Sequence, residues 1–390
     1  MRKYVSDAVA SIPPSGIRKF FDIASEMKNV ISLSVGEPDF VTPWNVREAA
    51  ILSIEKGMTH YTSNAGLYEL REQICVYLAN RQNLKYKPED VLVTVGASEG
   101  IDLAIRAIIN PGEEVIIPAP SYVSYSPCVK LVGGVPVPVT TKAENNFVLT
   151  PEELDKVITD KTKAIILPYP NNPTGAILKK EDLNKLVNYL QDKDIIIISD
   201  EIYSELTYGG KHISIASYKQ VKDKVILING FSKAFAMTGW RVGYVIASPE
   251  ILKAMVKIHQ YTMLCATSIS QYAALEALKL NAANGYQTIE SMTSQYDLRR
   301  KKLYKAFNEM GLTCFEPKGA FYLFPNIEAT GMTSEEFCTQ LLYDKGVALV
   351  PGTAFGESGE GFVRCSYAAS MKNIDKAIVK IGEFVHDKIN

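Results

Sequence analysis

Lys233 stands just past an apolar run, Val225 to Ile228, and Arg241 stands eight residues further on, directly before a second run, Val242 to Ile246. Short apolar runs bounded by polar residues read as buried strands, so both charges fall at strand ends. A lysine amine forms a Schiff base with a carbonyl carbon once its charge is suppressed, and a guanidinium clamps a phosphate through paired hydrogen bonds. A carbonyl compound that also carries a phosphate would suit the pair. Two solvated loop charges would leave the same spacing, so the pair needs support from the rest of the chain.

Other polar residues recur at the ends of apolar runs. Gly96, Ala97 and Ser98 form a small-residue turn, closed by Gly100, between the run Val91 to Val95 and a helical pattern at Ile101 to Ile109. Free N–H groups and the positive end of a helix dipole there favour a phosphate, although Ser98 as an ordinary helix cap accounts for the same residues. Asn172, Pro173 and Gly175 follow the run Ala164 to Leu167, as simple turn chemistry also would. Asp200 ends the isoleucine run 195–198, and Tyr203 lies three residues on. A carboxylate at a dry strand end could hold a ring nitrogen protonated; a helix cap is the plainer alternative. Arg364 interrupts an apolar strand pattern, where it requires an anionic partner, either a structural carboxylate or a substrate.

These residues need a scaffold that gathers strand ends. Apolar runs at Val91 to Val95, Val115 to Ile117, Val135 to Val139, Ala164 to Leu167, Ile195 to Ile198, Val225 to Ile228 and Val242 to Ile246 alternate with helical patterns. Four isoleucines in succession suit a strand covered on both faces. The alternation predicts an α/β fold: a large unit at about residues 45–285 with a mostly parallel sheet flanked by helices, its ligands beyond the carboxyl ends of the strands. Helices are expected over 43–57, ended by Gly57, and over 67–81. Residues 1–44 and 286–390 read as a smaller, discontinuous α+β unit. Its strands are expected at Ile31 to Val35, Ala320 to Phe324, Val347 to Val350 and Gly361 to Ser366, its helices at Ser334 to Lys345 and Lys372 to His386. Pro13 and Pro14 imply an extended arm before a helical spacing of Phe20, Phe21 and Ile23. The basic run Arg299 to Lys302 reads as the solvated face of a further helix.

Composition narrows the classes. Lys plus Arg number 42 against 43 for Asp plus Glu, which gives no electrostatic reason to expect nucleic acid or an acidic membrane as partner. No apolar run approaches about 20 residues, and Met1 to Ala10 lacks the apolar core of a signal peptide. A cytoplasmic location is expected. The six cysteines show no Cys-x-x-Cys spacing and read as buried small hydrophobes of a reducing compartment. The four histidines are scattered without metal-ligand spacing, so no metal is expected.

The combination Gly36-Glu37-Pro38-Asp39-Phe40, Asn172-Pro173-Thr174-Gly175, Asp200-Glu201-Ile202-Tyr203, Ser232-Lys233 and Gly239-Trp240-Arg241-Val242-Gly243 closely resembles the fold-type I, pyridoxal-phosphate-dependent aminotransferases of class I. The resemblance runs end to end and is nearest to the aspartate, aromatic and N-acetyldiaminopimelate branch. It implies pyridoxal 5′-phosphate as cofactor, amino-acid and 2-oxoacid substrates, and a homodimer with shared active sites. It implies that Lys233 carries the cofactor and shuttles a proton, and that Asp200 meets the pyridine nitrogen. Tyr203 and Asn172 match the donors to the phenolic oxygen, and Tyr122 the ring that stacks on the cofactor, commonly a tryptophan in the aspartate branch. Ala97, Ser98 and Arg241 match the phosphate cradle. Tyr61 matches the tyrosine that reaches the neighbouring subunit's phosphate. Arg364 and the Gly36 backbone, with Asn172 beside them, match the clamp on the substrate's α-carboxylate.

There are departures. Many relatives carry a phosphate-binding serine where Gly230 stands, so either Ser232 compensates or the cradle is weaker. No arginine for a distal carboxylate occurs in Tyr261 to Ser270, and Ser98 stands where aspartate-specialised relatives can place a lysine. With Ile12 and Ile17 also placed near the pocket by the resemblance, an aromatic or long acylated amino donor is expected. The rivals are an aspartate aminotransferase, a carbon–sulfur β-lyase on the same fold, and a cofactor-binding sensor domain. The last needs an appended DNA-binding module, for which no room is expected before Ile12 or after Asn390.

Overall fold

The computed structural model describes residues 4–14, 16, 27 and 29–389. The helical spacing at Phe20, Phe21 and Ile23, and Ile17 beside it, fall outside the described residues. A short strand, β1 (Ile31–Ser32), precedes two helices, α1 (Trp44–Glu55) and α2 (Tyr68–Gln82). The alternating region follows: β2 (Val91–Thr94), α3 (Gly96–Ile108), β3 (Glu114–Ala119), α4 (Tyr125–Leu131), β4 (Val135–Thr140), β5 (Thr162–Leu167), α5 (Lys180–Leu190), β6 (Ile196–Asp200), β7 (Val225–Gly230) and β8 (Gly243–Ile246). Three long helices come next, α6 (Pro249–Thr262), α7 (Ser268–Ala283) and α8 (Gln287–Glu309). The chain closes with β9 (Tyr322–Leu323), α9 (Ser334–Lys345), β10 (Val347–Ala348), β11 (Val350–Pro351), β12 (Val363–Ser366) and α10 (Met371–Ile389).

Strands β2 to β8 make one seven-stranded sheet in the order β2-β8-β7-β6-β5-β3-β4. Every neighbouring pair is parallel except the two made by β8, which runs against both β7 and β2. Alternate residues of the inner strands enter separate cores, while the edge strand β4 contributes to one. Ile165, Ile197, Leu227 and Tyr244 pack with α2, α5 and α7; Ile166, Ile198, Ile226 and Val245 pack with α3 and α6. Burial on both faces is why the inner strands are apolar through their middles, with polar residues such as Asp200 and Asn229 only toward the ends. A third core surrounds an antiparallel sheet in the order β11-β12-β9, covered by α8, α9 and α10. β1 pairs in parallel with β10, and Leu33 packs into this core, so the N-terminal stretch is held by the C-terminal one.

Two expectations are corrected. The stretch Gly96 to Gly100 is the start of α3 rather than a turn before it. Gly96 enters the helix with φ +75, and Ser98 lies inside the first turn instead of capping it. The run Arg299 to Lys302 is only half solvated, because consecutive helical residues point about 100° apart and cannot share one face. Arg299 and Arg300 are 8% and 2% exposed. Arg299 pairs with Asp39 at 2.7 Å, and Arg300 pairs with Asp297 and Glu316 and donates to the Pro317 carbonyl at 3.0 Å. Lys301 and Lys302 face solvent.

Arg300→Ala is therefore expected to destabilise the protein by roughly 2 kcal/mol, since it removes a buried alkyl stem and leaves the Pro317 carbonyl without its donor. Lys301→Ala should stay within about 0.5 kcal/mol of the parent. Urea unfolding of both variants beside the parent protein tests the split, and equal midpoints would contradict it.

Candidate active site

The β7–β8 connection is a hairpin in which Gly230 pairs with Gly243. Lys233 comes just after the first glycine and Arg241 just before the second, so the register returns both charges to one edge of the sheet. Neither glycine has room for a side chain. A Cβ on Gly243 would lie 2.7 Å from the Ala97 nitrogen, and one on Gly230 would lie 2.9 Å from the Gly243 Cα. A serine at 230 would thus press on the paired strand, and the hydroxyl that lines the cavity here belongs to Ser232.

On β2, next to β8, the chain turns at Gly96 into α3. A Cβ on Gly96 would come within 2.7 Å of Arg241 Nη2. Glycine thereby lets the guanidinium lie against the helix start that bears the Ala97 and Ser98 N–H groups. Arg241 donates to the Thr238 carbonyl at 3.0 Å and pairs with no carboxylate among the described residues. A cation that no described carboxylate pairs with, set against helix N–H groups, could hold an anion.

A cavity of about 350 Å³ opens at this edge. Every candidate except Tyr61 lines it: Gly36, Ala97, Ser98, Tyr122, Asn172, Asp200, Tyr203, Ser232, Lys233, Arg241 and Arg364. The Lys233 amine donates to the Gly36 carbonyl at 2.5 Å. Burial brings its pKa down to about 8; Arg364 and Arg241 add to the fall, and Glu37 and Asp200 oppose it. Asp200 ends β6. Its Oδ2 accepts from the Tyr125 hydroxyl at 2.8 Å and its Oδ1 from the Ile202 N–H at 3.2 Å. No helix follows Asp200, so it is no helix cap. Burial raises its pKa while those two donors pull it back. The Tyr203 hydroxyl shares a 2.8 Å hydrogen bond with that of Tyr322, and burial pushes its pKa up.

Arg364, on β12, is 2% exposed. It donates to Asn172 Oδ1 at 2.9 Å and to the Ser34 carbonyl at 2.6 Å, its guanidinium carbon lies 4.5 Å from the Tyr322 ring centroid, and its Nε has no partner. No carboxylate pairs with it among the described residues. Among the described residues its hydrogen-bond partners are neutral, so the guanidinium could take an anionic ligand. Tyr61 is 82% exposed and lies outside the cavity. Sequence reasoning missed Tyr125 and Tyr322. Both are tyrosines in ordinary apolar surroundings, and nothing in their spacing marks them.

The chain matches the family model described as "Aminotransferase class I and II" over residues 28–381. It belongs to the class I and II aminotransferases. It is 52% identical over 387 residues to the "Putative aminotransferase YugH" of Bacillus subtilis, covering 99% of each chain. It is 46% identical to an "Aspartate aminotransferase" of Pyrococcus abyssi, over 98% of this chain and 99% of the relative. A "Probable N-acetyl-LL-diaminopimelate aminotransferase" of Bacillus subtilis is 43% identical, over 100% of this chain and 97% of the relative. Among solved structures the chain is similar to the aromatic aminotransferase of Pyrococcus horikoshii OT3, with a TM-score of 0.89, 44% identity, and coverage of 94% of this chain and 99% of that one.

The aminotransferase uses pyridoxal 5′-phosphate, and the cavity fits that group by its donor set. The Gly96 helix start with Arg241 could take a phosphate, the Lys233 amine an aldehyde carbon, and buried Asp200 a protonated ring nitrogen. When bound, the cofactor supplies an electron sink for the substrate's α-carbon. No helix among the described residues is long and apolar enough to cross a membrane.

The Lys233 amine is protonated below a pH of about 8 and neutral above it. Covalent uptake of cofactor by the cofactor-free aminotransferase is therefore expected to accelerate as pH rises through that value, by about tenfold per unit on the acid side, and then level off. Trapping with borohydride at about pH 6 and about pH 9, followed by mapping of the labelled peptide, measures this. A flat profile, or label on a lysine other than Lys233, contradicts it.

Proposed function

We propose that the aminotransferase moves the amino group of an L-amino acid with an aromatic or long acylated side chain to a 2-oxoacid such as 2-oxoglutarate. The observation that carries the side-chain preference is a groove of about 1190 Å³ that adjoins the cavity at Tyr122. Ile12, Pro13, Pro14, Val123 and Phe355 line it, with Lys130 as its basic residue among the described ones. Lys130 is thus the one described cation that could meet a distal carboxylate there, whereas an apolar side chain would gain by burial against Ile12, the two prolines and Phe355. Aspartate as donor is the second reading, favoured by the Pyrococcus abyssi relative named for it.

In this reading Lys233 holds the cofactor and moves the proton at the substrate's α-carbon. Asp200, steadied by Tyr125, serves the ring nitrogen, Tyr203 and Asn172 serve the ring oxygen, and Tyr122 stacks on the ring. Ala97, Ser98, Ser232 and Arg241 take the phosphate. Arg364, with Asn172 and the Gly36 backbone beside it, takes the α-carboxylate; the support is a buried guanidinium that no anion among the described residues satisfies. Residues 45–285 would form the cofactor unit, and 1–44 with 286–390 the smaller one, in a cytoplasmic homodimer. Support for the dimer comes from the surface around Tyr61. Tyr61 and Tyr261, the latter at the end of α6, are both 82% exposed, and the Tyr61 loop is tied to the α6–α7 region by Asn64 to the Leu264 carbonyl at 2.7 Å and by Gln271 to Thr62 at 3.1 Å. Exposed aromatic side chains in this setting would suit burial against a second subunit.

Comparing kcat/KM for phenylalanine, N-acetyl-LL-diaminopimelate and aspartate at fixed 2-oxoglutarate tests the donor. One of the first two is expected to lead, and a lead of about tenfold for aspartate, some 1.4 kcal/mol, would reverse the reading. Subunit mixing tests the shared site. A hybrid of Lys233→Ala and Tyr61→Phe subunits should exceed both mutant homodimers in activity, because one of its sites lacks both lesions. No recovery after verified exchange would assign both residues to one chain's site.

A further inference from the structure

Behind the Gly96 turn lies a buried pair that the roles above do not use. Glu99 is in the first turn of α3, one residue beyond Ser98. Its Oε2 accepts the Val95 N–H at 2.5 Å, and its Oε1 bonds His259 Nδ1 at 2.7 Å. His259 belongs to α6 and is fully buried, and its Nε2 has no partner. Nδ1 therefore carries the proton toward the carboxylate, and it is the side-chain donor to Glu99 among the described residues. Among the described residues Glu99 is the polar partner of this ring.

Glu99 creates an electrostatic conflict. A carboxylate suits the first turn of a helix, but the same helix start and the Arg241 guanidinium against Gly96 are the groups that would hold a phosphate. Two anions at one helix end compete for the same donors and repel each other.

We infer that His259 is a positioning residue for the cofactor's phosphate. By donating to Oε1 it holds the Glu99 carboxylate back against Val95 and offsets its charge. The Ala97 and Ser98 N–H groups and Arg241 are thereby left to the phosphate. This rests on reading Ala97, Ser98 and Arg241 as the phosphate cradle.

The test compares the affinity of the cofactor-free protein for pyridoxal 5′-phosphate and for pyridoxal, which lacks the phosphate. His259→Leu is expected to weaken binding of the phosphorylated compound about tenfold and of pyridoxal less than about twofold. His259→Asn, which keeps an N–H donor near the Nδ1 position, should retain most of the parent affinity. Adding Glu99→Gln to His259→Leu removes the uncompensated charge and should restore phosphate-dependent affinity, which separates charge from packing even if the single variant folds poorly. Equal loss for both compounds, or no rescue by Glu99→Gln, overturns the inference. Arg241→Gln is the control. If it weakens both compounds equally, the cradle reading itself fails; if it acts on the phosphorylated one while His259→Leu is silent, the role of His259 alone is overturned.

Discussion

Lowering the hold of the Lys233 amine on its proton is the constraint on which the rest of the structure depends. A solvated lysine stays charged at neutral pH and is no nucleophile. Burial at the end of β7 lowers its pKa, and the nearby Arg364 and Arg241 guanidinium groups lower it further. The cavity therefore carries a surplus of positive charge in which the lysine is the group that yields its proton. Arg364 cannot yield, because a guanidinium holds its proton far above neutral pH. It is instead held by two neutral acceptors and by the faces of Tyr322 and Phe355. A site so arranged could receive anions.

Close backbone approach makes that arrangement possible. The antiparallel β8 is the one strand that breaks the parallel sheet, and it sits between β7 and β2. It brings Arg241 beside Lys233 through the hairpin and beside the start of α3 through β2. Gly243 touches the Gly96–Ala97 peptide so closely that a Cβ would lie 2.7 Å from it. A wider separation would pull the guanidinium away from the helix start.

The third core is joined to the same edge by a chain of contacts along residues 36–42. The Gly36 carbonyl receives the lysine amine, Glu37 accepts from the Thr238 hydroxyl at 3.0 Å, and Thr42 links the Ala236 carbonyl to the Trp240 indole. At the other side Asp39 pairs with buried Arg299 of α8. Gly36 has to be glycine because a Cβ there would lie 2.8 Å from the Tyr322 hydroxyl. The loop that carries the lysine and the core that carries Arg364 are thus held in one register.

The sequence by itself determined the sheet, because inner strands buried on both faces must be largely apolar, and all seven predicted runs, the edge strand β4 included, entered it. It also determined the polar groups at the strand ends, since a lysine, an aspartate or an arginine beside such runs has few inexpensive explanations. The family pattern then named their expected parts. Only the tertiary structure decided which neutral groups complete the site. Tyr125 reaches Asp200 across 75 residues, Tyr322 reaches Tyr203 across 119, and His259 reaches Glu99 across 160. It likewise decided that Arg299 and Arg300 are buried while Lys301 and Lys302 are not. Periodicity along a chain records which face of an element is apolar. Which side chain meets which across the interior depends on how the packed elements are set against one another, and that is decided only when the whole core closes.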